Sequence, residues 1–208
     1  MKTLIINCYR KSPDKSIENY CKLVGKFNLY DIVYDKDIKE DFKTDNYNAI
    51  IISGSEDHIS KGKYFKDFLK FLKQVTIPVL GICYGHQIIA KSFGVEIIHG
   101  KKMIKMPCPE NSNDQGEKVH IIDKDKIFIG LDNKIDVFES HQEYVDPKYL
   151  EKFDFKILAK SNSCPVEAFK HLKRPLYGVQ FHVERSGEIG KKIISNFYKL
   201  VVKKFKGI

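Results

Sequence analysis

The chain has 208 residues, of which 42% are hydrophobic and 30% charged, a composition typical of a folded domain rather than of a disordered or fibrous chain. Its 36 Lys and Arg against 27 Asp and Glu give a formal charge of +9, but nearly all the basic residues are scattered Lys, whereas a nucleic-acid surface needs a clustered stripe. No apolar run reaches the ~18 residues of a membrane span, and the apolar run at the N-terminus is too short for a secretory signal. We therefore expect a cytoplasmic protein that forms one domain over residues 1–208. We expect neither a membrane nor a nucleic acid among its partners.

Strands and helices alternate in the first half of the chain. Apolar runs predict strands at Leu4–Asn7, Leu29–Tyr34, Ala49–Ile52 and Ile77–Ile82, and continuous runs suit strands that are covered on both faces. Apolar residues at helical spacing predict helices over Ile17–Val24, over Phe65–Leu72 and around Ile88–Phe93. Units that alternate in this way predict a parallel sheet with helices on both faces.

The second half of the chain is richer in strands. The pattern predicts strands at Glu117–Ile122, Ile135–Phe138, Phe155–Lys160, Pro165–Phe169 and Leu176–Gln180, and one strong helix at Gly187–Lys204. We therefore predict an α/β fold, with a mostly parallel sheet, helices on both faces and a smaller β-rich portion.

A Gly-x-Cys-x-Gly pattern lies between a predicted strand and a predicted helix, in the segment Gly81–Gln87. This is the thiol counterpart of the nucleophile elbow, a sharp turn that lifts a nucleophile above the end of a strand. Gly81 and Gly85 allow close approach of the backbone, and the start of the helix favours a Cys83 thiolate. The Tyr84 N–H points to where an oxyanion would form. The alternative is a buried cysteine between two packing glycines.

A cysteine nucleophile needs a base, and the base needs a group that orients it. Of the seven histidines, His182 directly follows the apolar run Leu176–Phe181, and Glu184 comes two positions later. Residues i and i+2 of an extended segment project to the same side, so Glu184 can accept the imidazole N–H. The alternative is a His-x-Glu pair on the surface.

The remaining cysteines give no sign of a metal site or a disulfide framework. Cys8, Cys21, Cys108 and Cys164 are widely spaced and the chain contains no Cys-x-x-Cys pair. We assign the first two to packing, Cys108 to a loop and Cys164 to the edge of a strand. The nearby aspartates at 123, 125, 132 and 136 match no ligand motif, so we predict neither a metal nor a cofactor.

Together, Gly81–Gln87 and Tyr177–Glu184 resemble the sequence motifs of class I glutamine amidotransferases, a family with a flavodoxin-like fold. Within this family the segments Ser140–Glu143 and Ser161–His182 are most similar to the glutaminase part of GMP synthase. The resemblance extends from Ile50 to Glu184, and the motifs keep the order and spacing of the family.

The resemblance implies a function for each motif. Cys83 would attack the side-chain amide of L-glutamine, His182 would move the proton and Glu184 would orient His182. A glutamyl thioester would form, release ammonia and then be hydrolysed to glutamate. The N–H groups of Tyr84 and Gly54 would hold the oxyanion. The family also implies that Gln87 and the backbone of Ser140, His141 and Gln142 bind glutamine. Without the resemblance, we would place Gln87 on the solvent face of a helix. We would place Ser140 and His141 in a turn at the end of a strand.

Three segments depart from the family pattern. One is Asn7–Arg10, which stands where GMP synthases typically have a segment rich in aspartate, glycine and glutamine. Gly54-Ser55-Glu56 stands where the family usually has Gly-Gly-Pro, and Ser55 adopts a positive φ less easily than Gly. Val183 replaces the usual Pro between His182 and Glu184, and the loss of the fixed proline φ predicts looser geometry there.

Three functions stay open. The first is a glutaminase subunit that supplies ammonia to a separate ATP-dependent synthetase, since this chain has no Gly-x-x-x-x-Gly-Lys-Ser/Thr motif. The second is a γ-glutamyl hydrolase or peptidase that works without a partner. The third is a non-catalytic binding module of amidotransferase type, against which the presence of Cys83, His182 and Glu184 argues.

Overall fold

The computed structural model describes residues 1–106 and 118–203, and its main feature is a nine-stranded sheet. One half of this sheet is parallel, in the order β2-β1-β3-β4-β11. These strands are β1 Lys2–Asn7, β2 Leu29–Tyr34, β3 Ala49–Ile52, β4 Val79–Ile82 and β11 Leu176–Val179. All the strands predicted for this half are present. Because β3, β4 and β11 run parallel, their carboxyl ends lie at the same edge of the sheet.

The β-rich second half of the chain continues the same sheet with antiparallel pairs. From β11 the order runs through β10 (Ala168–His171), β9 (Phe155–Lys160), β6 (Val119–Ile121) and β7 (Lys134–Ile135). The predicted α/β fold with an added β-rich portion is therefore confirmed. That the whole of residues 1–208 forms a single domain stays a prediction.

Both faces of the sheet are covered by helices. These are α1 (Pro13–Val24), α2 (Lys66–Gln74), α3 (Tyr84–Ser92) and α4 (Gly187–Asn196). Alternate residues of a strand point to opposite faces, so Ile5 and Ile51 join the core of α1 and α4, whereas Ile6 and Ile52 join that of α2 and α3. No helix among residues 1–106 and 118–203 is long and apolar enough to cross a membrane.

A second sheet has two antiparallel strands, β5 (Ile97–Met106) and β8 (Glu139–Val145), that the sequence did not predict. In β8, every second residue is buried, but three of the buried residues are Glu139, His141 and Glu143. A search for alternating apolar residues therefore does not detect the alternating burial of this strand. Ser140 and His141 accordingly lie inside a strand and not in the turn that we would have assigned without the family.

Some predicted boundaries were wrong. The strand predicted at Pro165–Phe169 begins only at Ala168 and extends to His171. The last predicted helix is α-helical only to Asn196 and continues as a π-helix over Phe197–Val202. Glu117, Lys204 and Cys108 lie outside the described residues.

Candidate active site

Cys83 lies at the sharp turn from β4 into α3, as the elbow pattern predicts. Its φ is 54° and its ψ is −106°, in a region that favours glycine. A Cβ on Gly81 would overlap the backbone of Gly85, and a Cβ on Gly85 would lie 2.5 Å from the Ile52 carbonyl oxygen. The two glycines therefore let α3 approach β3 and β4 closely enough to impose this turn, which confirms the predicted reason for both of them.

Cys83 lies at the start of α3 and faces β8. Cys83 caps the N-terminus of α3, where the first N–H groups have no partner within the helix and favour negative charge. The residue is 5% exposed, and its Sγ lies 3.9 Å from the Ser140 carbonyl oxygen on β8. Tyr84, the first residue of α3, contributes one of those N–H groups.

His182 follows β11 and lies beside Cys83. Glu184 accepts a hydrogen bond from His182 Nδ1 at 2.7 Å. The two residues meet because a 3-10 turn at Val183–Arg185 brings Glu184 back, not because the segment is extended as predicted. Val183 is buried and its turn packs against α4, and the looser geometry expected at this position stays a prediction.

The charges around His182 favour its protonated form. Burial by itself lowers the pKa of the imidazole, but the Glu184 carboxylate and the Cys83 thiolate outweigh burial and raise the pKa well above its usual value. His182 therefore lies between the Cys83 sulfur and the Glu184 carboxyl group, and its pKa is raised by both. This arrangement can activate a thiol and can donate a proton to a leaving amine.

Gly54 lies close to His182, but its N–H is already used. It donates to the Tyr20 hydroxyl at 2.9 Å, and Tyr20 is buried. To hold an oxyanion, this N–H must leave Tyr20, so the function assigned to Gly54 stays a prediction. Ser55 does not adopt a positive φ, and its hydroxyl donates to the Cys8 carbonyl oxygen at 2.7 Å.

Gln87 does not face solvent. Its side chain is buried and donates to the Glu143 carbonyl oxygen at 2.8 Å and to Gln180 Oε1 at 3.0 Å. His141 Nδ1 donates to the same carbonyl at 2.9 Å. These bonds use both lone pairs of the Glu143 carbonyl and fix β8 beside Cys83.

A cavity of about 300 Å³ collects most of the predicted site. All the predicted site residues except Gly54 and Glu184 line its wall, including Ser140, His141 and Gln142. The wall also contains residues that the sequence did not single out: Tyr9, Asp57, His58, Met103, Glu143 and Arg185. Glu143 ends the Ser140–Glu143 motif, and Asp57, His58 and Arg185 directly follow segments that the sequence did single out. Tyr9 and Met103 come from distant segments that only the fold brings together.

Comparison with known proteins decides the family. The family model for class I glutamine amidotransferases matches residues 4–201. The chain belongs to this family. As a class I glutamine amidotransferase it is an enzyme, and the relationship that the Gly81–Gln87 and Tyr177–Glu184 motifs indicated is confirmed.

Related amidotransferases agree with this assignment. The chain is 41% identical over 162 residues to a glutamine-hydrolyzing GMP synthase subunit of Pyrococcus abyssi, and the match covers 77% of this chain and 79% of that protein. It is 36% identical over 193 residues to the protein of the same name from Methanococcus aeolicus, covering 92% and 86%.

Solved structures support the fold. A crystal structure named as that of a GMP synthase subunit from Thermoplasma acidophilum superimposes with a TM-score of 0.77 at 25% identity, over 100% of this chain and 96% of the other. A glutamine amidotransferase from Thermotoga maritima superimposes with a TM-score of 0.66 at 20% identity, over 100% of this chain and 90% of the other, which supports the fold alone.

Proposed function

We propose that this amidotransferase hydrolyses L-glutamine with Cys83 as nucleophile, His182 as acid and base, and Glu184 as the residue that positions His182. The observation that carries the proposal is the strained turn at Cys83, which presents the sulfur beside a histidine that is itself hydrogen-bonded to a buried carboxylate. Strain of this kind costs about 1–3 kcal/mol and persists where the surrounding structure enforces it, most often at functional sites.

The proposed reaction follows from these positions. The Cys83 thiolate attacks the side-chain amide carbon of glutamine, and the tetrahedral oxyanion accepts hydrogen bonds from the Tyr84 N–H and, once released from Tyr20, from the Gly54 N–H. The His182 imidazolium gives its proton to the departing ammonia. His182, now neutral, takes a proton from water, which attacks the thioester and releases glutamate.

We further propose that a separate synthetase subunit uses the ammonia. The relatives are named as subunits of a glutamine-hydrolyzing GMP synthase, and this chain contains no phosphate-binding Gly-x-x-x-x-Gly-Lys-Ser/Thr segment. We infer that the partner belongs to a GMP synthase. The expected result is that adding the synthetase subunit from the same organism makes GMP formation depend on glutamine and on Cys83.

The test of the nucleophile is intact-mass labelling with a diazoketone analogue of glutamine. We expect one label per chain, attached to Cys83, slowed by free glutamine and absent in Cys83→Ala. Cys21→Ala is the matched control, because Cys21 is more accessible than Cys83 but lies outside the cavity.

The outcomes separate the alternatives. Labelling that glutamine does not slow would indicate a γ-glutamyl hydrolase with another substrate. A chain that stays unlabelled both alone and with its synthetase subunit would be a non-catalytic module. Retention of the label in Cys83→Ala would overturn the assignment of the nucleophile.

A further inference from the structure

Three potential metal ligands meet at the wall of the cavity, although they are far apart in the sequence. His58 precedes the 3-10 turn Ile59–Lys61, His99 lies on β5 and Glu143 lies on β8. One ligand atom from each residue lies within 4.8 Å of the other two. The two imidazole rings have centroids 4.9 Å apart, and His99 Nδ1 lies 3.5 Å from Glu143 Oε1.

We propose that His58, His99 and Glu143 form a binding site for a divalent transition-metal ion of the Zn²⁺ class. Two imidazole nitrogens and one carboxylate oxygen are the donor set that Zn²⁺, Co²⁺ and Ni²⁺ accept, whereas Mg²⁺ and Ca²⁺ take oxygen ligands. To reach the metal–ligand distances of a tetrahedral site, about 2.0–2.2 Å, the three side chains would have to rotate towards one point.

Glu143 is held in place and has capacity for one more bond. Its carboxylate accepts from the backbone N–H of Ile59 at 2.7 Å, from the N–H of Ser60 at 3.1 Å and from the Ser60 hydroxyl. A carboxylate offers about four lone pairs, so about one is left. The remaining lone pair lies on Oε2, since both Ser60 bonds go to Oε1. His99 Nδ1 approaches Oε1 at 3.5 Å, and a metal ion would bind at Oε2.

An unpartnered nitrogen of His58 also favours a metal site here. Its Nδ1 is buried and has no hydrogen-bond partner among the described residues, which is costly for a polar atom. The backbone of His58 is fixed, because the N–H groups of Lys61 and Lys63 both donate to its carbonyl oxygen at 3.2 Å. A bound cation would satisfy this histidine without moving its backbone.

The site opens towards the cavity that contains Cys83. His58 and Glu143 both line that cavity, whereas His99 does not. With three protein ligands, a bound ion would keep a fourth position for water, and two of its three ligands line the cavity. The inference goes beyond the proposed hydrolysis and does not depend on it.

The test is Co²⁺ binding to the whole chain, followed by the visible absorption of Co²⁺ and by equilibrium dialysis. The Cys83→Ala protein is the starting material, because it removes the cavity thiol as a competing ligand. We expect one Co²⁺ per chain, displaced by Zn²⁺. Loss of one ligand, in His99→Ala or in His58→Ala, should weaken binding by more than the roughly 10–100-fold that loss of an outer-shell partner costs.

His120→Ala is the matched control, because His120 is exposed on β6 and lies outside the cluster. It should bind Co²⁺ as tightly as the starting protein. Equal affinity in His99→Ala and the starting protein, with circular dichroism unchanged, would overturn the proposal. So would the absence of Co²⁺ binding at millimolar concentration. Neither result bears on glutamine hydrolysis, which diazoketone labelling of Cys83 tests separately.

Discussion

The proposed catalytic residues are Cys83, His182 and Glu184, and backbone geometry positions all three. A cysteine at φ 54° is strained, and the two glycines beside it are needed so that the neighbouring chain can enforce that strain. Glu184 reaches His182 only because a turn follows β11. Each reactive residue therefore depends on backbone geometry set by its neighbours.

Removing the charge of Glu184 should shift the pH dependence of glutamine hydrolysis. Since the Glu184 carboxylate raises the pKa of His182, Glu184→Gln should lower that pKa. The imidazolium is then lost at a lower pH, so the alkaline limb of kcat/KM moves to lower pH and kcat falls by roughly 10²–10⁴-fold. A pH–rate profile of ammonia release measures both effects.

Glu188→Gln is the matched control, because Glu188 is exposed in the first turn of α4 and pairs with Lys191. Its profile should overlay that of the parent protein. An alkaline limb that stays in place in Glu184→Gln would mean that the raised pKa of His182 does not come from Glu184.

At the scale of elements, α4 supports the turn that carries Glu184. A Cβ on Gly190 would overlap the Val183 carbonyl oxygen, so α4 and the turn at Val183–Arg185 pack backbone against backbone. Only glycine permits this approach. The packing compensates for the proline that the family usually has at position 183, since it holds the turn from outside.

Gly190→Ala should therefore reduce both stability and activity. Overpacking of this kind costs typically 1–3 kcal/mol, and the displaced turn moves Glu184 away from His182. Urea unfolding measures the first effect and glutamine hydrolysis the second.

Gly130→Ala is the control for the cost of a glycine substitution by itself. Gly130 has a φ of 77° and a Cβ there would meet only the end of the Lys192 side chain, at 3.1 Å. We expect strain of about 1–2 kcal/mol with unchanged activity. Full activity in Gly190→Ala would show that α4 does not position the turn.

For the molecule as a whole, a buried pair of carboxyl groups links the two sheets. Glu139 on β8 and Glu167, next to β10, are both fully buried, and Ser161 Oγ donates to Glu167 Oε1 at 2.7 Å. Burial first, and then the charge of Glu139, raises the pKa of Glu167 well above its usual value. The folded chain therefore holds a proton on Glu167 that an unfolded chain has lost.

This proton predicts how stability depends on pH. Above about pH 4.3, the ordinary pKa of Glu, the folded state binds more protons than the unfolded state, so the free energy of unfolding falls as pH rises. The fall continues up to the raised pKa of Glu167, at up to about 1.4 kcal/mol per pH unit. Glu167→Gln, a neutral isostere, should remove this part of the slope.

The measurement is urea unfolding of the parent and of Glu167→Gln between pH 5 and pH 8, at roughly unit steps of pH. Glu18→Gln, at an exposed position on α1, should keep the slope of the parent. If the difference between the parent and Glu167→Gln were constant with pH, Glu167 would not be the group that retains the proton.

The features that the sequence predicted are those with local patterns. Continuous apolar runs such as Ala49–Ile52 predicted the central strands, since a strand covered on both faces needs apolar side chains on both. Gly81 and Gly85 predicted the elbow, because a sharp turn leaves no room for a Cβ. The spacing of His182 and Glu184 predicted that the two side chains meet, although it did not predict the turn that brings them together.

Apolar periodicity and tight turns depend on a few neighbouring residues, so they were enough to predict the parallel strands, the helices that cover them and the elbow at Cys83. The pairing of β5 with β8, the bond between Gly54 and Tyr20, and the contact of His58 with His99 and Glu143 became visible in the folded chain alone. These features join buried polar groups from distant segments. Each of these contacts is stabilised by a partner that is distant in the sequence. No local pattern of residues therefore indicates it.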